Sequence, residues 1–166
     1  MPPGVDPIPV RILDDLAAAL SLPDGGASYY HDVNFVGFGR DITAPAITGY
    51  PAVFLGEPSE IGQYSEVAED RKALWHGTWY WDIPVFGVIE DVGLGDNAYR
   101  SLLKLAADIF RAVLADFQRG GLAILTEVRA WTILGPQEAT QGRPWVAVVV
   151  RVVFRTRDNE MVTTPA

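Results

Sequence analysis

Three features of the sequence predict an α+β fold, a mainly antiparallel β-sheet with one long and one short helix packed on it. Residues 96–119 carry apolar side chains at helical spacing. Residues 73–90, 122–134 and 145–157 alternate with the period of two that belongs to a strand. Most strands follow one another through turns and loops without an intervening helix, which favours antiparallel neighbours.

At 166 residues the chain fits one domain, long enough to bury a core without metals or disulfides. Four prolines and a glycine within residues 1–9 predict an extended arm. The domain proper is expected over 10–157, with a flexible tail at 158–166. In "PVRILDDLAAALSLPDGG", Val10, Leu13, Leu16, Ala17 and Leu20 recur at helical steps, and Pro23 with Gly25-Gly26 ends the helix. "ASYYHDVNFVGFG" reads as a strand, and a second is centred on 51–56 with Pro51 at its start or on an edge. The next eighteen or so residues are polar and acidic without a period, a long loop at 57–73.

"ALWHGTWYWDIPVFGVIED" places three of the five tryptophans within seven residues. Its odd positions, Trp75 to Ile89, form an apolar face. Its even positions, His76, Thr78, Tyr80, Asp82, Pro84, Phe86 and Val88, form a mixed one. A mixed second face is expected to be covered, or to meet another subunit. Pro84 has no N–H for a ladder, so an edge, a bulge or a bend is expected there. The tryptophans are read as core packing, with a subunit contact or a stacking platform for a ligand left open.

The long helix is predicted to bury Tyr99, Leu102, Leu103, Ala106, Ile109, Phe110, Val113, Leu114 and Phe117. Arg100, Lys104, Asp108, Arg111 and Asp116 fall largely on its other side. Asp96 is the expected N-cap and Gly120-Gly121 the stop. The last two strands pair as a hairpin with a long tip. Even positions from Leu122 to Leu134 face the core, as do Val146, Val148, Val150, Val152 and Phe154. Glu127, Arg129 and Trp131 fall on the opposite face with Arg151 and Arg155, and one allowed register sets Glu127 across from Arg151.

Chemistry is sparse. The absence of cysteine excludes disulfides, thiolate metal sites and cysteine nucleophiles. His31 and Asp32 are adjacent on a predicted strand and point to opposite faces, so neither orients the other. Two histidines and an acidic run without calcium-loop spacing leave no metal site to predict. "GFGRD" and "GLGDN" complete no phosphate or dinucleotide pattern and read as turns. No enzyme activity and no cofactor is therefore expected. The N-terminus lacks a basic region followed by an apolar run, and no apolar run approaches the roughly 18 residues of a membrane helix.

The net charge is −8, and its distribution is uneven. Residues 1–100 hold five Lys/Arg against fifteen Asp/Glu, and residues 101–166 hold eight against six. Such a chain is a poor nucleic-acid binder.

The order of elements resembles the tail terminator (tail completion) proteins of long-tailed bacteriophages, lambda type. The likeness runs over about residues 8–157: a short helix, strands before a long loop, a Trp/Thr strand entering an apolar run ("GTWYWDIPVFGVI"), a long helix ("AYRSLLKLAADIFRAVLADF") and a closing hairpin. It implies a hexameric ring that caps the tail tube, stops its polymerisation and offers a joining surface to the head. Tail-tube and head-completion proteins would be its partners. DNA would pass through without specific binding, and the place of action would be the tail–head junction of a virion assembled in the host cytoplasm. Within that expectation, His76, Thr78, Tyr80, Phe86, Val88, Arg151 and Arg155 are the candidate subunit interface. Glu57, Glu60, Glu66, Glu69 and Asp70 are the candidate lumen or tube-contact loop. Another connector, neck or tail-tube subunit is the structural alternative. The alternative of a different class is a small-molecule site built from Trp75, Trp79, Trp81 and Tyr80.

Overall fold

A computed structural model describes residues 6–22, 28–38, 47–56, 61–63 and 77–156. In chain order these form α1 (Ile8–Leu20), β1 (Phe35–Phe38), β2 (Ala52–Leu55), β3 (Ile61–Gln63), β4 (Gly77–Val88), α2 (Asp96–Leu114), β5 (Leu125–Leu134) and β6 (Trp145–Thr156). The six strands make one sheet in the order β1-β2-β4-β6-β5, with β3 pairing β4 beyond the end of β2. All pairings are antiparallel except β1 with β2. The α+β fold expected from the sequence is the fold observed.

One face of the sheet is packed under both helices. Val146, Val148, Val150, Val152 and Phe154 of β6, with Ile83 and Val85 of β4, have no exposed surface. They meet Leu102, Leu105 and Ile109 of α2 and Ile12, Leu16 and Leu20 of α1 in one cluster. Full burial of such a side chain contributes about 1.5–3 kcal/mol, so this row is the main source of stability. Trp81 belongs to the same cluster and is 4% exposed, as its parity on β4 requires.

Several boundaries differ from the sequence-based expectation. The short helix starts at Ile8, with Pro9 in its first turn, so residues 8 and 9 are not part of an arm. Its buried positions are Ile8, Ile12, Leu16 and Leu20, a strict four-residue step, while Val10 is 42% exposed. Residues 28–34 are irregular and only Phe35–Phe38 pairs as a strand. The expected loop at 57–73 contains a strand, since β3 pairs Ile61 with Trp81 and Gln63 with Trp79. Its acidic residues Glu57, Glu60, Glu66, Glu69 and Asp70 lie outside the described residues, as do the expected arm at 1–5 and tail at 158–166.

Pro84 lies at neither an edge nor a bulge. It pairs with Val149 inside an unbroken β4–β6 ladder. Its carbonyl accepts from Gly56 N at 2.7 Å, so its own hydrogen-bonding side faces β2. Without an N–H it cannot return that bond, and β2 stops there. The proline thus sits at the gap between β2 and β3.

The long helix is rotated from the predicted stripe. Its buried side chains are Ala98, Leu102, Leu105, Ala106, Asp108, Ile109, Ala112 and Val113. Tyr99, Leu103, Leu114 and Phe117, expected in the core, are 37–50% exposed. Gly95 is the N-cap residue, and Asp96 pairs with Arg100 at 3.0 Å instead of capping. After Leu114 the chain turns through Arg119, Gly120 and Gly121, all at positive φ (49°, 63° and 87°). Asp116 closes that turn by accepting from Gly120 N at 2.6 Å and Gln118 N at 3.1 Å. The bond from Gly120 holds its carboxyl below the usual range.

β5 changes parity part-way. A bulge between Val128 and Ala130 leaves Arg129 unpaired on β6. Before it, even residues face the helices: Thr126 pairs with Val152 and Val128 with Val150. After it, odd residues do: Trp131 pairs with Val148 and Ile133 with Val146. Ala130, Thr132 and Leu134 therefore leave the core face, and Trp131 joins it, stacking edge-on against Phe110 of α2 at 5.8 Å.

Candidate functional site

The face of the sheet away from the helices carries most of the residues singled out from the sequence. Register fixes its rows. Thr78 lies opposite Arg155, Tyr80 opposite Val153, Asp82 opposite Arg151, Phe86 opposite Ala147 and Val88 opposite Trp145. Thr78, Tyr80, Phe86, Val88, Arg151 and Arg155 thus share one surface of the central strand pair. His76 lies outside the described residues.

The middle of this face is charged. Arg151 donates to Asp82 through Nε and Nη2, both at 2.7 Å, a bidentate pair with side chains 22% and 28% exposed. Those bonds hold the Asp82 carboxyl below its ordinary range against the opposing effect of burial. The same bonds raise the Arg151 pKa, with Asp82, Tyr80 and Glu127 adding their fields. Glu127 lies directly across from Arg151, as one register allowed. The Arg151 guanidinium also covers the Tyr80 ring, 4.6 Å from its centroid. The ring in turn lies on Gly62 of β3, where a Cβ would collide with it. Glycine, ring and guanidinium form a stack that rises from the sheet.

One end of the face is apolar and already covered by this chain. Phe54 and Val88 are 2% and 1% exposed, packed with Phe35, Phe86, Trp145, Ile47 and Tyr50. Phe86 and Trp145 are 5.1 Å apart in a tilted pair. Val88 is thereby removed from the candidate interface, because its side chain has no surface left for a partner. Phe86 remains half-buried, and Thr78, Tyr80, Arg151 and Arg155 remain accessible in part or in full.

Trp79 and Trp81 face the helices, whereas Tyr80 faces away from them, so the sheet separates the rings. Trp75 lies outside the described residues.

A constellation absent from the sequence reading occurs on the helix side. Asp108, with no exposed surface, accepts from Tyr30 N at 2.9 Å and His31 N at 3.0 Å, and its Oδ2 lies 3.0 Å from His31 Nδ1. His31 Nε2 lies 3.1 Å from Ser101 Oγ. The line Ser–His–Asp has the spacing of a nucleophile, base and orienting acid. However, Ser101 is the sixth residue of α2, where backbone N–H groups are committed to the helix and none is free for an oxyanion. The arrangement is a clamp: a buried carboxylate ties residues 30 and 31 to the helix. A hint was present in the sequence, since Asp108 lies between Leu105 and Ala112 on one helical face.

A cavity of about 270 Å³ lies between α1 and α2, lined by alanines, Leu22, Asp15, Asp116 and Arg119. Arg119 is 1% exposed, pairs with Asp15 at 3.2 Å and donates to the Val113 carbonyl. Burial lowers its pKa from the ordinary guanidinium value, and Asp15 and Asp116 oppose that shift. These contacts lock the end of α2 to α1. Among the described residues no three His, Asp or Glu side chains converge as a metal site would require. No described helix is long and apolar enough to cross a membrane.

Neither a protein-family model nor a curated protein matches the chain.

Proposed function

We propose that this protein is a structural subunit of a phage tail: a terminator that forms a ring similar in build to those of lambda-type tails, capping the tail tube, halting its polymerisation and presenting a surface to the head. The observation that carries the reading is the outer face of β4 and β6. A sheet face left to water is ordinarily polar in alternation. This one interleaves Tyr80 and Val149 with a bidentate Asp82–Arg151 pair, and none of the described helices covers it. Such a mixture of apolar area with fixed charge pairs suits a contact between subunits. The element order supports the same reading, and the net charge of −8 suits a lumen through which DNA slides without adhering. The activity is one of surfaces alone, with no catalytic step.

The test is the mass of the purified chain, alone and mixed with tail-tube protein. A six-membered ring that binds tube ends is expected. A strict monomer that ignores tube protein would overturn the proposal. Overlong or headless tails after loss of the gene would separate a terminator from a connector or tube subunit.

A further inference from the structure

We draw no further inference here: the strongest candidate, the exposed apolar stripe of Tyr99, Leu103, Leu114 and Phe117 along α2 and the turn beyond it, which Trp131 of β5 extends through its edge-on contact with Phe110, carries nothing because nothing in the structure shows what covers it.

Discussion

Asp108 shows how one side chain can fix a segment remote in sequence. Its carboxylate serves two backbone N–H groups and an imidazole at 2.9–3.0 Å with no water-exposed surface. Truncation in Asp108→Ala would leave those donors buried without an acceptor, at about 1–3 kcal/mol for each. The expected loss is about 2–4 kcal/mol in chemical denaturation, with Ser101→Ala costing under about 1 kcal/mol. Asp82 behaves differently with pH. Hydrogen bonds from Arg151 depress its pKa in the folded state, so its stabilisation is complete above the unfolded value of about 3.9. It is lost as pH falls through the lower folded value. Urea midpoints measured from pH 6 downward should fall less steeply in Asp82→Asn, which itself costs about 1–2 kcal/mol at neutral pH. Neither partnership could be read from the sequence. Asp108 and His31 stand 77 residues apart, and only the irregular path of 28–34 turns both groups inward.

At the scale of elements, strands were read more faithfully than helices. Alternation on β4 and β6 identified Trp81, Ile83 and Val85 and the whole row from Val146 to Phe154 as core, because period two leaves only one choice of face. A helix offers a continuous choice of rotation. The predicted Leu102, Ala106, Ile109 and Val113 are buried, but the large side chains Tyr99, Leu103, Leu114 and Phe117 drew the predicted stripe of α2 toward themselves, and Ala98, Leu105 and Ala112 are buried in their stead. Leu102→Ala should therefore cost about 2–5 kcal/mol in a thermal or urea melt and Leu103→Ala under about 1 kcal/mol. In β5 the alternation misled beyond residue 128, since a bulge reverses every later side chain and leaves no mark in a pattern of apolar and polar letters. Ile133→Asp should destabilise by about 2–4 kcal/mol and Thr132→Asp by under about 1 kcal/mol. Equal costs would contradict the bulge.

At the scale of the molecule, a single helix-covered core leaves two surfaces with apolar content: the outer sheet face and the α2 stripe with Trp131. The sequence pointed to the first through the even positions of β4, and Arg151 and Arg155 were placed on it correctly by parity. It concealed the second by assigning the α2 side chains to the core and Trp131 to the outer sheet face. We propose the first as a contact in a ring at the end of a tail tube. The measurement closest to that claim is tube growth followed by electron microscopy, with this chain added to polymerising tail-tube protein. Growth is expected to halt, with one end of each tube carrying a closed ring of six copies, each of 18.1 kDa. Tubes that lengthen unchanged beside a chain that stays monomeric would contradict it.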